Sequence, residues 1–229
     1  VVMQFCDVIS QVIFPIYSKM RDLPNAMRQG FLLTTRYVSL ITFPLGIGMA
    51  LIAHPLVIAF FTEKWVDAIP VMRAISIYAV MLSIAYNAGD VYKAQGRPHL
   101  LTIISIFRLV VLIPGLYWAT QGLGTIAAVG WTHAVVAFLA GLVELVIASR
   151  LLQTPFKNIL RALQPACLSV ALMSVAVVFT LLILSRSNPW LQLLVSIPTG
   201  GGIYIGVLWL YQRDLVFQVS KTLRATIFR

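Results

Sequence analysis

The sequence predicts an all-α protein, a polytopic transmembrane helical bundle of about seven spans. Three observations carry this reading. Of the 229 residues 60% are apolar and only 10% are charged, where soluble domains run nearer half apolar and a quarter charged. The apolar residues fall into seven segments, most long enough for a tilted helix across a hydrocarbon core of about 30 Å. The charge is also lopsided, with 17 Lys+Arg against 7 Asp+Glu and a net of +10. In a soluble chain such an excess suggests nucleic acid; in this one it fits cytoplasmic loops, and no nucleic-acid partner is expected.

The segments, in order, are Val1–Ser18 (A), Tyr37–Phe61 (B), Val71–Tyr92 (C), Leu100–Ala119 (D), Leu123–Ser149 (E), Leu163–Ser185 (F) and Pro189–Tyr211 (G). A is the shortest. The chain opens at Val1, without Met and inside an apolar run, which reads as a piece lacking its N-terminal part. Pro15, Pro44, Pro114 and Pro198 lie inside segments, where neighbouring helices must satisfy the carbonyls they free, and kinks are expected there. The run Lys19–Arg36 (KMRDLPNAMRQGFLLTTR) is the longest connection and reads as a basic amphipathic stretch on the inner leaflet.

Lys and Arg resist translocation, so their distribution orients the chain. The loops after A, C and E and the tail after G carry Lys19, Arg21, Arg28, Arg36, Lys93, Arg97, Arg150, Lys157, Arg161, Arg213, Lys221, Arg224 and Arg229, against Lys64 and Arg186 in the other loops. This places the C-terminus in the cytoplasm. Trp65, Trp118 and Trp190 fall near the opposite ends, where aromatic belts belong.

Helical spacing places Arg73, Ser76, Ser83, Asn87 and Asp90 on one face of C, and Gln4, Asp7, Gln11 and Ser18 on one face of A. D carries Ser105 and Arg108; E carries Gly130, His133, Ala137, Gly141 and Glu144 along a narrow stripe. B, F and G have no comparable ionisable stripe. A charge in hydrocarbon costs roughly 2.5 to 3.5 kcal/mol on insertion scales, so such residues face a bundle interior or a wet cavity. The four stripes predict a hydrated cavity among A, C, D and E. The plainer alternative is that Asp7 pairs with Arg108 and that His133 or Glu144 bonds a neighbouring helix.

Gly200, Gly201 and Gly202 lie mid-span with no following Lys-Ser/Thr, so close helix packing is expected rather than a phosphate loop. Cys6 and Cys167 lie in apolar runs far apart and read as small core residues. No zinc-ligand or nucleophile-elbow spacing occurs, and His54, His99 and His133 are scattered. Neither an enzyme nor a cofactor is expected.

FPIYSK at Phe14 to Lys19, RQGF at Arg28 to Phe31, FPLGIGMALIAHPLV from Phe43, EKWVDAIPVM from Glu63 and YNAGDVYKAQGRP from Tyr86 together resemble the polysaccharide exporters. These are the O-antigen and colanic-acid type flippases of the multidrug/oligosaccharidyl-lipid/polysaccharide transporter superfamily. The resemblance is strongest through Pro98 and only compositional across F and G.

It implies two lobes facing each other across a central cavity, followed by two extra helices. Residues 1–152 would then be most of the second lobe, and 153–229 the appended pair with a basic tail. It further implies a bacterial inner-membrane protein that flips an undecaprenyl-diphosphate-linked oligosaccharide by alternating access, with polymerase or glycosyltransferase partners. On that view Arg108, about eight residues or about 12 Å into D, is the first choice for the diphosphate and Arg73 the second. Asn87, Gln4 and Gln11 would bond sugar hydroxyls, and Asp7, Asp90 and Glu144 would serve cation or proton coupling. Two rivals remain open at this point. A drug antiporter of the same superfamily would lean on a compact acidic site, and a membrane glycosyl- or acyltransferase on a loop residue such as His99.

Overall fold

The computed structural model describes residues 2–211, which form helices joined by short turns. The helices are α1 (Val2–Lys19), α2 (Pro24–Leu51), α3 (Ala53–Phe61), α4 (Ala68–Ala94), α5 (His99–Trp118), α6 (Ile126–Leu151), α7 (Phe156–Ile183) and α8 (Pro189–Tyr211). Among the described residues there is no strand. Among the described residues six helices, α2 and α4 to α8, are long and apolar enough to cross a membrane, α5 together with the turn that follows it. The seventh expected span, α1, is less apolar because Gln4, Asp7, Gln11 and Lys19 interrupt its 18 residues. The basic tail residues Arg213, Lys221, Arg224 and Arg229 lie outside the described residues.

Two boundaries differ from expectation, each for a local reason. The stretch Lys19–Arg36 is not a surface segment: the chain turns at Met20–Leu23 and enters α2 at Pro24, whose fixed φ suits a first helical position. Met27 and Phe31 are fully buried there, so packing carries the helix a dozen residues below the apolar run. Segment B breaks at Ile52 into α2 and α3. Pro55 cannot donate to the carbonyl of Leu51, and the break puts it in the first turn of α3, where no donor is needed.

α4 is the centre of the bundle, flanked by α2, α6 and α1, while α7 packs on α2 and α8 on α7 and α3. Small residues set the closest approaches. A Cβ on Gly46 of α2 would lie 2.2 Å from Val80 Cγ2 of α4. The stripe on α6 makes the same kind of seam: Gly130 faces Ala74 and Val71, and Gly141 faces Met81 and Ala85. Gly200 packs on Val177 of α7 as expected, whereas Gly201 and Gly202 face open space. Cys6 is buried, Cys167 exposed, and both are free.

Candidate functional site

Most of the polar stripe on α4 is turned toward α2 and α1. Ser76, Ser83, Asn87 and Asp90 are all buried. Asn87 donates from Nδ2 to Thr35 Oγ1 at 2.7 Å and to the Phe31 carbonyl at 3.2 Å, and its Oδ1 accepts from Tyr17 at 2.9 Å. Ser83 and Thr42 share a hydrogen bond of 2.8 Å. The gap left beside Cys6, Ser83, Tyr86 and Asn87 is about 10 Å³, at most one water's worth. The expected open cavity along this stretch is therefore corrected to a closed, hydrogen-bonded seam. Unpaired polar groups are costly in an apolar interior, and packing α4 on the hydroxyls of α2 satisfies them.

The hydroxyls at Thr34, Thr35, Ser39 and Thr42 are the residues that sequence reasoning missed. Their spacing on one face of α2 was visible, but a search for ionisable stripes passes over hydroxyls. Tyr17, Tyr86 and Tyr92 were missed for the same reason: each reads as apolar until its hydroxyl finds a partner across a helix boundary.

The carboxylates take separate partners. Asp90, nearly inaccessible, pairs with Lys93 at 3.2 Å on its own helix. Glu144 of α6 is buried and pairs with Arg108 Nη2 of α5 at 3.3 Å. Asp7 accepts a hydrogen bond from Tyr86 of α4. The suggested pair of Asp7 with Arg108 is thus replaced: Arg108 is 36 residues from its partner in sequence, and α5 packs against α6. Tyr92 donates to the backbone carbonyl of Glu144, tying α4 to the same point. The rings of His133 and Tyr78 stand nearly perpendicular, with centroids 6.1 Å apart.

Arg108 lies on the most open helix of the bundle. Ile104 is the one buried residue of α5, and Ile103, Ile106, Phe107, Leu109, Val110 and Ile113 are exposed. The Arg108 side chain is 29% exposed, and its Nε is buried with no partner among the described residues. On the other flank, α1 buries Cys6 and Tyr17 and leaves Gln4, Asp7, Gln11 and Ser18 exposed.

Arg73 is not brought to either flank. It lines a cavity of about 550 Å³ with His54, Trp131, Leu181 and Gln192, between the α4–α6 pair and the α7–α8 pair. His99, the loop histidine, is exposed and without a partner among the described residues. Among the described residues no group of three or more His, Cys, Asp or Glu could hold a metal ion.

Comparison with known proteins agrees with the resemblance read from the residues. Residues 1–70 match a family described as "Polysaccharide biosynthesis protein". The chain is 29% identical over 143 residues, 61% of its length, to the teichuronic acid biosynthesis protein TuaB of Bacillus subtilis. It is 30% identical over 125 residues to an uncharacterized membrane protein in the cps region of Klebsiella pneumoniae. It is 26% identical over 124 residues to the lipopolysaccharide biosynthesis protein WzxC of Escherichia coli. The matched stretches span 29%, 26% and 25% of those relatives' own lengths. No solved structure matches the chain. The chain is a multi-pass membrane protein similar to proteins of polysaccharide and lipopolysaccharide biosynthesis, and its resemblance to the polysaccharide exporters holds.

Proposed function

We propose that this chain is part of a transporter, not an enzyme, that moves a lipid-linked oligosaccharide across the bacterial inner membrane by alternating access. The observation that carries the reading is the polar stripe that α1 exposes beside Phe5, Val8 and Val12. Gln4, Asp7 and Gln11 are exposed on a helix packed among spanning helices, where lipid would be a poor neighbour for them. Water or a facing lobe satisfies them, and a water-lined wall between two lobes is what a hydrophilic sugar needs.

On this reading residues 1–152 act as one lobe and 153–229 as an appended pair. The substrate is an undecaprenyl-diphosphate-linked oligosaccharide whose polyprenyl chain stays in lipid. Arg108 meets the diphosphate, since only one of its nitrogens is engaged by Glu144 and a guanidinium fork suits phosphate oxygens. Gln4 and Gln11 meet sugar hydroxyls. Asn87 supports the wall from behind, its amide already bonded within the protein. Arg73, beside the appended pair, is the weaker substrate contact. If transport is coupled to a cation or proton, the exposed Asp7 is the acid for it, since Asp90 and Glu144 already hold basic partners. That dispersal of the carboxylates speaks against the compact acidic site of a drug antiporter. Polymerase and glycosyltransferases of the same assembly line are the expected partners, and the C-terminus lies in the cytoplasm.

The test is complementation. The full-length protein, expressed in a strain lacking its own exporter and supplied with the matching sugar-assembly enzymes, should restore surface polysaccharide. It should also clear the lipid-linked intermediate from the inner leaflet. Normal membrane accumulation with no restoration and no clearance would overturn the proposal.

A further inference from the structure

A second amphipathic site lies away from the polar face of α1, at the end of the bundle that carries most of the basic loops. The α4–α5 turn and the end of α6 enclose a cleft of about 390 Å³ lined by Arg97, Leu100, Ile147, Arg150 and Leu151. Both arginines are exposed, and among the described residues neither guanidinium enters a hydrogen bond or salt bridge. The three apolar side chains are only half-buried. The cleft therefore combines two unpaired cations with an incompletely covered apolar floor.

The turn that carries Arg97 is built to hold its place. Gly96 has φ +69°, and a Cβ there would lie 3.1 Å from Arg21 Nη2, so a side chain would be strained by the backbone and crowded by the first loop. The Arg97 amide closes the turn by donating to the Tyr92 carbonyl at 2.9 Å. The depth is informative as well. α4 ends at Ala94, α5 begins at His99 and α6 ends at Leu151, so the cleft sits where spanning helices leave the hydrocarbon, at headgroup level. Phosphate diesters lie at that level, each attached to acyl chains.

We propose that this cleft binds the phosphate headgroup of an anionic phospholipid of the surrounding bilayer. Arg97 and Arg150 grip the phosphate oxygens, and Leu100, Ile147 and Leu151 take the first methylenes of an acyl chain. A free phosphate would match the cations but leave the apolar floor facing water, so the lining favours the lipid as the source. The bound lipid would clamp the α4–α5 turn to the end of α6. The site does not depend on what the protein transports.

The test uses the purified full-length protein in detergent micelles, titrated with phosphatidylglycerol or phosphatidylcholine and read by native mass spectrometry. Phosphatidylglycerol should be retained over phosphatidylcholine, and Arg97→Gln with Arg150→Gln should weaken its retention by about tenfold. Ile147→Trp, which fills the cleft with both charges intact, should weaken it comparably. Lys157→Gln, a basic change outside the cleft, should leave it unchanged, and millimolar inorganic phosphate should not displace the lipid. Unaltered retention in the double arginine variant would overturn the site. So would an equal loss with Lys157→Gln, which would mean diffuse surface charge, and so would displacement by phosphate, which would make the ligand a free anion.

Discussion

Tyr204 of α8 donates its hydroxyl proton to the carbonyl of Leu40 on α2 at 2.6 Å, both residues being buried. That carbonyl is the one Pro44 leaves without an intrahelical donor, because proline has no N–H to offer the residue four before it. A helix read as merely appended thus repairs a defect in the core of the bundle, across 164 residues of sequence. Tyr204→Phe should lower stability toward denaturation in detergent by about 1 to 2 kcal/mol. Adding Pro44→Ala, which supplies an N–H at position 44, should recover part of that loss. If the double variant falls by the sum of the two single changes, the Leu40 carbonyl is not the shared cause.

The pair Arg108–Glu144 separates export from folding. Arg108→Lys should keep normal protein level and part of the export activity, since a point charge still attracts phosphate but loses the fork. Arg108→Gln strands a buried carboxylate and should lower both level and export. Arg108→Gln with Glu144→Gln should recover the level and leave export low. Surface polysaccharide and membrane protein level, measured together, decide the matter, and recovery of export in the double variant would remove Arg108 from the substrate path.

Accessibility distinguishes the open face of α1 from the closed seam of α4. In a cysteine-free background of the full-length protein, single cysteines at Gln4 and Gln11 should react with a water-soluble thiol reagent. Cysteines at Ser83 and Asn87, buried in hydrogen bonds, should not, nor should one at Val175 on the apolar flank of α7. Labelling at Ser83 and Asn87 equal to that at Gln4 would mean that the seam opens to water.

Close packing at Gly46 can be probed through its neighbour. Gly46→Ala puts a methyl group against Val80 and should destabilise by about 1 to 3 kcal/mol. Val80→Ala in the same chain makes room and should restore much of the loss, read from the midpoint of thermal unfolding in detergent. Equal destabilisation with or without Val80→Ala would place the cost elsewhere.

Orientation is a separate matter. Reporter fusions after Arg161 should read as cytoplasmic, and fusions near Val66 and Asn188 as external, because the bases cluster at one end of the helices. The reverse pattern would move the end of the bundle that carries the lipid cleft to the external side.

What the sequence by itself determined is the all-α class, the apolar spans from α4 to α8, and the end of the bundle at which the bases gather; the break between α2 and α3 and the early start of α2 were left to packing. Apolar runs of spanning length admit no other backbone in lipid, because every N–H and C=O must be satisfied within the segment. The class of protein was legible for a different reason, from FPLGIGMALIAHPLV and YNAGDVYKAQGRP taken in order. Helical spacing also placed Asn87 with Asp90, and Gln4 with Asp7, on common faces. Only the tertiary structure decided what each face meets. Asn87 turned to Thr35 and Tyr17, Arg108 to Glu144 and not Asp7, and Tyr204 to the carbonyl freed by Pro44. Periodicity defines a face within one helix; which neighbour covers it depends on how glycines such as Gly46 and Gly141 let helices approach, and on which polar groups then satisfy one another across the contact.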